Sequence, residues 1–273
     1  MVETFVLADG VATPVRSSLD LATASAALPT GAYTTLRTYG GDGIVSLEEH
    51  LARLEESTAL QGRPGRIDRG RLRAGLAAVL RATRYPESRL RITFTPPELF
   101  ASVEPFTPPP DRLYEEGARC VTLPLRRDVP HSKDTRFISS AQAAYRDLPE
   151  GAHEGLLVAE DDGAILEGLS SNVFAVVDGV LRTEDERALR GTTRSAVLDL
   201  ARGILPVSLE APRRGDLPRA SEVFLTSVSR EVLGVARIDD VEIGRGRPGA
   251  LARDLRKRYR ARMRSLADHV VKR

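Results

Sequence analysis

The second half of the chain consists of short apolar segments separated by turn residues, which is the pattern of antiparallel strands joined by hairpins. The segments EGLLVAE, GAILEG, NVFAVV and GVLRT lie within residues 154–183 and are interrupted by Asp-Asp-Gly and Asp-Gly. EVFLTS and VLGVARI follow as two further strands around a polar turn. This spacing predicts a strand-rich domain.

Two helices are predicted in the same half of the chain. The segment TTRSAVLDLARGI opens on two threonines, and a long arginine-rich helix begins at about Pro248. Leu255, Tyr259 and Met263 fall on one face of this second helix, so we expect that face to be packed and the basic face to be solvated. The basic residues of the helix therefore do not indicate a nucleic-acid partner.

The first half mixes strands with helices. GAYTTLRTYGG, residues 31–41, is rich in β-branched and aromatic residues and ends in Gly-Gly, which predicts a strand and a turn. RLRITFT, residues 89–95, alternates strictly and predicts a strand with Arg91 on its polar face. We expect the segment PPELFASVEPF that follows it to be a loop.

Leucines at helical spacing predict two helices between these strands. They are Leu47, Leu51 and Leu54 in the first helix and Leu72, Leu76 and Leu80 in the second. Ser46 and Glu49 have the spacing of a capping box, in which each side chain accepts a hydrogen bond from the backbone of the other residue. We expect this box to begin the first helix.

The run EPFTPPPD, residues 104–111, indicates a domain boundary, because proline has no amide hydrogen to donate and interrupts both strands and helices. We place a small N-terminal α/β domain at residues 1–115 and a larger, strand-rich C-terminal domain at residues 116–273. The predicted fold class is therefore α+β with two domains.

Composition argues against several classes of protein. The formal net charge is +2 with both signs interleaved, so the chain has no broad basic field for nucleic acid. No apolar stretch has the length that a bilayer requires, and the N-terminus shows no secretion-signal pattern. The single cysteine, Cys120, rules out an intramolecular disulfide. These features favour a cytoplasmic enzyme, and we predict no metal, membrane or nucleic-acid partner.

The lysines are unusually few. Only three of the 40 basic residues are lysines, namely Lys133, Lys257 and Lys272, and two of them lie near the C-terminus. An arginine stays charged at any working pH, whereas a lysine can lose its proton and become a nucleophile. Lys133 is therefore the candidate for an amine with a chemical role.

Three further features have both a structural and a functional interpretation. Glu167 ends an apolar strand, where it either pairs with a nearby arginine or meets a positive group of a ligand. Thr192 and Thr193 open a helix, so they form either an ordinary N-cap or a phosphate site made of amides and hydroxyls. Arg53 lies beside a leucine stripe, either as a surface side chain or as a phosphate ligand.

Together these residues have the chemistry of a pyridoxal phosphate (PLP) enzyme. Such a protein supplies a lysine that forms a Schiff base, a phosphate site, and a carboxylate that keeps the pyridine nitrogen protonated. Lys133, Arg53 and Glu167 are of these three kinds. Their joint occurrence favours the functional interpretation of each.

The chain resembles the class IV aminotransferases, the fold-type IV PLP enzymes that include branched-chain aminotransferases, D-amino acid aminotransferases, (R)-amine transaminases and aminodeoxychorismate lyases. The resemblance covers nearly the whole chain and is most specific in LEEHLARLEES, GAILEGLSSNVFAVVDGVLRT and ALRGTTRSAVLDLA. It implies a cofactor between a small and a large domain, with the lysine in the latter. It also implies a homodimer in which a loop of one subunit closes the other's site.

The resemblance further implies roles for individual residues. Lys133 would form the Schiff base and then move a proton between the substrate Cα and the C4′ atom of the cofactor, while Glu167 would pair with the pyridine nitrogen. The other cofactor contacts would come from Arg53, Leu189, Thr192, Thr193 and the turn containing Ser227 and Val228. The substrate-binding residues would be Tyr33, Arg91 and Arg230, which would meet an amino donor and a ketoacid acceptor.

The chain departs from the family pattern at several positions. Thr34 follows Tyr33, where relatives often have a glutamate. Val228 stands where many relatives have a threonine for the phosphate, so Ser227 or Ser229 would have to supply the hydroxyl. The segment PPELFASVEPF lacks the Arg-x-His pair that grips the substrate carboxylate in bacterial D-amino acid aminotransferases.

Alternatives therefore stay open at this point. Arg91 and Arg230 are either ligands of a substrate carboxylate or ion-pair partners. The chain is either an aminotransferase, a lyase of the aminodeoxychorismate type that eliminates pyruvate, or a catalytically silent protein of the same fold. The intact set of Lys133, Glu167 and Arg53 favours the aminotransferase.

Overall fold

The computed structural model describes residues 1–270, which group into two units. The first unit contains residues 1–107, 132–140 and 263–270, and the second contains Pro108–His131 and Ala141–Arg262. Lys133 belongs to the first unit, and Lys272 lies outside the described residues. The domain boundary between residues 115 and 116 stays a prediction.

The elements up to the start of the second unit alternate strands with three helices. They are β1 Val2–Ala8, β2 Val11–Ser18, α1 Leu21–Ala26, β3 Ala32–Tyr39, β4 Gly43–Ile44, α2 Leu47–Leu60, α3 Arg69–Thr83, β5 Ser88–Thr95 and β6 Glu98–Pro105. The later elements are α4 Asp111–Glu116, β7 Ala118–Leu123, α5 Arg136–Arg146, β8 Glu154–Val158, β9 Ile165–Gly168, β10 Asn172–Val177, β11 Val180–Arg182, α6 Thr192–Ala201, β12 Val207–Ser208, a 3-10 helix Arg214–Arg219, β13 Ala220–Ser227, β14 Glu231–Ile238, β15 Val241–Glu242, α7 Ala250–Leu266 and β16 Asp268–His269.

The first unit is built on a seven-stranded antiparallel sheet with the strand order β16-β4-β3-β5-β6-β1-β2. Helix α2 packs on β3, and α3 packs on β1 and β2. The buried leucines of both helices and the apolar face of β5 form one core. This packing explains the helical spacing of the leucines, because only one face of each helix meets the sheet.

The second unit is built on a nine-stranded sheet that closes on itself. The order runs β12-β11-β10-β13-β14-β7-β8-β9, the ninth strand β15 pairs with β14, and β9 also pairs with β10. Strand β7 lies parallel to both β14 and β8, while β13 lies antiparallel to β10 and β14. Closure leaves β8, β9 and β10 without a free edge, which is why their sequences are almost continuously apolar.

Most elements predicted from the sequence are confirmed. Leu90, Ile92 and Phe94 are all buried on β5, and Leu255 and Tyr259 are buried on α7. The strands predicted between residues 154 and 183 occur as β8 to β11. The mixture of helices and strands agrees with the predicted α+β class.

Two local predictions are wrong. Ser46 precedes α2 in the left-handed conformation, with φ of 53°, and its side chain makes no capping hydrogen bond. The capping box with Glu49 therefore does not form. The segment predicted as a loop after β5 turns at Pro96-Pro97 and continues as β6, because the hairpin with β5 and the pairing with β1 satisfy its backbone.

Within residues 1–270, no helix combines the length and the apolar character that a membrane-spanning segment needs.

Candidate active site

The Lys133 segment is fixed by backbone hydrogen bonds to β3 and α2. The Tyr33 amide donates to the Lys133 carbonyl at 2.9 Å, and the Lys133 amide donates to Ser57 Oγ at 3.0 Å. Two residues after Lys133, the Thr135 amide donates a further hydrogen bond to the Gly31 carbonyl at 2.9 Å. Lys133 therefore starts from a rigid backbone, although it lies outside a regular strand.

The Lys133 side chain lies against the ring of Tyr33. Its Nζ atom is 4.8 Å from the ring centroid, within the range of a cation–π contact. Tyr33 is almost fully buried. The first unit thus brings together the predicted reactive amine and the aromatic residue that was predicted to line the substrate pocket.

Arg53 is held by the residue that replaces the family's glutamate. Its Nη2 atom donates to Thr34 Oγ1 at 2.7 Å and lies 3.3 Å from His50 Nδ1. Thr34 Oγ1 is in turn 2.7 Å from His50 Nδ1. Because a guanidinium only donates, Nδ1 is an acceptor here, and the Thr34 hydroxyl hydrogen points toward it.

His50 completes this network as a neutral residue. Burial lowers the pKa of His50 well below its usual value, and the charges of Arg53 and Lys133 lower it further. The imidazole therefore accepts hydrogen bonds at neutral pH without adding positive charge. Thr34 and His50 orient the Arg53 guanidinium, a role that the sequence pattern did not reveal.

Arg91 is engaged by the first helix. Its Nη1 atom donates to the Leu21 carbonyl at 2.9 Å and to Ser25 Oγ at 2.7 Å. The guanidinium carbon is 4.9 Å from the centroid of the Tyr33 ring. Burial lowers the pKa of Arg91, and Tyr33 partly opposes that effect. Its predicted role toward a substrate carboxylate stays a prediction.

Glu167 forms a buried ion pair in the second unit. Arg127 Nε donates to Glu167 Oε1 at 2.6 Å, and the two side chains are 4% and 3% exposed. An arginine was one expected partner of this carboxylate, but its identity as Arg127, which lies 40 residues earlier, was not predicted. No local sequence feature distinguishes the buried Arg127 from its neighbour Arg126, which has the same side chain and is exposed.

Leu189 and the threonines lie around the start of α6. Asn172 Nδ2 donates to the Leu189 carbonyl at 2.6 Å. Gly191 is required by close approach, since a Cβ atom there would collide with Asn172 Oδ1. Helix α6 then begins at Thr192 with no side chain capping it, and Thr193 is buried. A helix start without a side-chain cap, next to a buried threonine, is a suitable environment for an anion.

The turn from Ser227 to Arg230 is closed by its own side chains. Ser227 Oγ accepts from the Arg230 amide at 3.3 Å and from Arg230 Nε at 3.4 Å. Val228 is half-buried in this turn. Arg230 Nη2 donates to Glu154 Oε2 at 2.5 Å, so its charge already has a carboxylate partner.

Residues 31–238 match the family model of amino-transferase class IV, which covers most of the chain. The chain belongs to the class IV aminotransferase family. The reaction class is therefore PLP-dependent transamination, and PLP is the cofactor. This agrees with the family resemblance and the cofactor predicted from the sequence motifs.

Individual relatives agree with this assignment. A putative branched-chain-amino-acid aminotransferase of Methanocaldococcus jannaschii is 28% identical over 84% of this chain and 86% of its own length. The D-alanine aminotransferase of Bacillus licheniformis is 28% identical over 82% of this chain and 84% of its own length.

A solved structure shows the same fold. The branched-chain amino acid aminotransferase of Thermoproteus uzoniensis, a thermophilic archaeon, was solved with norvaline. It superimposes with a TM-score of 0.78, at 21% identity and over 98% of this chain and 99% of its own. The predicted fold-type IV architecture is thereby confirmed.

The residues of each unit fit PLP. In the second unit, α6 starts without a side-chain cap, and the buried Thr226 hydroxyl beside the Ser227 turn has no hydrogen-bond partner within residues 1–270. In the first unit, Lys133 supplies an amine on a fixed backbone, and Arg53 supplies an oriented guanidinium. An amine, a guanidinium and hydroxyl donors are the groups that an aldehyde and a phosphate require.

Proposed function

We propose that Lys133 supplies the reactive amine for transfer of an amino group from an amino donor to a 2-ketoacid. The observation that carries this proposal is the double attachment of the Lys133 backbone, to β3 through Tyr33 and to α2 through Ser57. A lysine that must first bind the cofactor and then move a proton needs a fixed origin and a mobile side chain.

The other predicted residues take complementary roles in this proposal. When bound, PLP withdraws electrons from the donor's Cα, which makes the Cα proton easier to remove. Lys133 would take that proton, and Glu167 would accept a hydrogen bond from the pyridine nitrogen. Leu189 would pack on the ring. The phosphate would be held by Arg53, by Thr192 and Thr193 at the start of α6, and by the amides of the turn that contains Ser227 and Val228.

We further propose that the donor has an uncharged side chain. Arg91 donates to the Leu21 carbonyl and to Ser25, and Arg230 donates to Glu154. Both arginines that were predicted to bind a substrate carboxylate thus donate hydrogen bonds to other residues of this chain. A branched-chain amino acid and D-alanine, the substrates named for relatives, have uncharged side chains and agree with this proposal.

The setting in which the enzyme works is also part of the proposal. We propose a cytoplasmic homodimer, supported by the family resemblance and by the single buried cysteine, Cys120. Tyr33 would line the substrate pocket, and the boundary between the small and the large domain would fall between residues 115 and 116.

An absorbance titration tests the main proposal. The purified protein is saturated with PLP and its visible band is recorded before and after separate additions of D-alanine, L-leucine, L-glutamate and (R)-phenylethylamine. We expect D-alanine or L-leucine to bleach the band, and pyruvate or a second 2-ketoacid to restore it. Bleaching by L-glutamate alone would refute the proposal that the donor has an uncharged side chain.

Two lysine variants identify the amine. Lys133→Ala should lose the visible band and turnover, whereas Lys257→Ala should keep both, because Lys257 is an exposed residue of α7. Full turnover by Lys133→Ala would refute the role of this lysine. Pyruvate release from aminodeoxychorismate without any ketoacid acceptor would instead identify the lyase reaction.

A further inference from the structure

Glu154 is a buried carboxylate to which the roles above assign no function. It is fully inaccessible to solvent at the start of β8. An ionised carboxylate in such a place is unfavourable unless charged and hydrogen-bonding partners surround it. Its partners are Arg230 Nη2 at 2.5 Å, Tyr145 OH at 2.5 Å, Ser171 Oγ at 2.9 Å and Ser170 Oγ at 3.2 Å.

The electrostatics of this cluster raise the pKa of Arg230 and of Tyr145. Burial by itself would lower the pKa of Arg230, but the charge of Glu154 outweighs burial and the pKa is raised. Burial also raises the pKa of Tyr145, and Glu154 raises it further, so Tyr145 remains a hydrogen-bond donor. Arg230 and Tyr145 therefore stay protonated and serve as fixed donors to Glu154.

On one side, Glu154 holds the turn between β13 and β14. Arg230 is anchored to that turn through Ser227 Oγ, and its carbonyl accepts from Tyr114 OH at 3.1 Å. The guanidinium then extends from the turn to Glu154, 76 residues away in the chain. Movement of the turn would break a charged, buried hydrogen bond.

On the other side, Glu154 holds the loop that follows Glu167. Ser170 and Ser171 donate to Glu154 from this loop, and the Gly168 amide donates to the Ser171 carbonyl at 2.7 Å. A Cβ atom at Gly168 would collide with Ser171 Oγ and crowd the Glu154 side chain. The loop leads directly into Asn172, which binds the Leu189 carbonyl.

We propose that Glu154 is a positioning residue that fixes the Ser227–Arg230 turn and the Gly168–Ser171 loop together, and thereby sets the affinity for PLP and the amino donor. This inference rests on the proposed function, which assigns the turn with Ser227 and Val228, Glu167 beside the loop, and Leu189 to cofactor binding. Glu154 itself touches none of the reacting atoms in this role. Its loss should therefore affect binding more than turnover.

Local hydrogen exchange and ligand binding test the proposal in Glu154→Gln. We expect faster amide exchange in a peptide spanning residues 225–232, and increases of about 10-fold in the Kd of PLP and in the KM of the donor, with kcat changed by less than about 3-fold. The control is Glu222→Gln, which loses a half-buried carboxylate of β13 that accepts from the Leu251 and Ala252 amides at the start of α7 and lies outside the exchange peptide. The control should leave Kd and KM within about 2-fold of wild type.

A double-mutant cycle separates positioning from general damage. If Glu154 acts through Arg230, then Glu154→Gln and Arg230→Gln together should raise the Kd of PLP no more than the worse single variant, a coupling of about 10-fold. Should Glu154→Gln fold poorly, Tyr145→Phe provides a milder variant that removes one donor to the same carboxylate.

Each outcome decides the proposal. Unchanged Kd and KM in Glu154→Gln, effects equal to those of the control, or independent effects in the cycle would overturn it. A wild-type protein that does not bind PLP would instead refute the proposed function. In that case, the exchange rates of the turn and the loop still decide whether Glu154 positions them.

Discussion

Replacing Arg127 with methionine would remove the guanidinium that pairs with the buried Glu167 carboxylate. The Nε–Oε1 distance is 2.6 Å, and both side chains are almost completely buried. The change leaves the Glu167 carboxylate in a low-dielectric environment without its charged partner. We therefore expect Arg127→Met to be strongly destabilised in the absence of PLP.

The expected size follows from the burial of the pair. Breaking a buried pair by removing one partner typically costs about 3–5 kcal/mol, whereas exposed pairs contribute about 0–1 kcal/mol. For a chain of this length, such a loss corresponds to a fall in Tm on the order of 10 °C. Under the proposed role of Glu167, added PLP supplies a positive ring nitrogen and should reduce this deficit.

Urea unfolding followed by far-UV circular dichroism, with and without PLP, measures the effect. Arg66→Met is the matched control, because Arg66 pairs with Glu55 at 3.1 Å but its side chain is 91% exposed. That variant should stay within about 1 kcal/mol of wild type. The double variant Arg127→Met with Glu167→Met should recover most of the lost stability, since an apolar pair replaces the ion pair.

Two results would refute this reasoning. If Arg127→Met were no less stable than Arg66→Met, the Arg127–Glu167 pair would not be a buried interaction in solution. If the double variant were no more stable than Arg127→Met, the cost would come from lost packing rather than from an unpaired carboxylate.

Three further predictions concern other parts of the structure. The wild-type free energy of unfolding should fall by up to about 1.4 kcal/mol per pH unit as the pH drops below the ordinary histidine pKa. The cause is that His50 binds a proton in the unfolded chain but not when it is buried. Urea unfolding between pH 7 and 5 should show that His50→Asn lacks this component of the pH dependence. Thr34→Val should raise the Kd of PLP about 10-fold in an absorbance titration, since Arg53 loses the Thr34 hydroxyl as an acceptor, while Thr34→Ser should not. Leu255→Ala should lower stability by about 2–5 kcal/mol, whereas the exposed Leu266→Ala should change it by less than about 0.5 kcal/mol; equal losses would contradict the packing of α7.

Local sequence patterns predicted the helices and strands that bury either one face or all of their side chains. The alternation around Leu90 and Ile92 and the helical spacing of Leu51 and Leu54 identified β5 and α2, because side-chain direction follows directly from backbone geometry. Strands β1 and β2 were not predicted. Most residues of β2 are exposed, so this edge strand lacks the apolar alternation that identifies strands.

The motifs also predicted most residues of the candidate site. Lys133, Glu167, Arg53 and the threonines of α6 were recognised by residue type and order, since a PLP enzyme needs an amine, a carboxylate and a phosphate site. Their contacts were not predicted. Thr34 looked like the loss of a family glutamate, whereas in the structure it orients Arg53 together with His50.

The sequence by itself determined the family and the cofactor, and it predicted the reactive lysine, because these depend on the chemistry of side chains in a fixed order. The tertiary structure alone decided which charges meet. Arg127 reaches Glu167 and Arg230 reaches Glu154 across separations of 40 and 76 residues. Such pairings depend on the parallel register of β7 with β8 and β14 and on the closure of β9 onto β10, which no local pattern specifies.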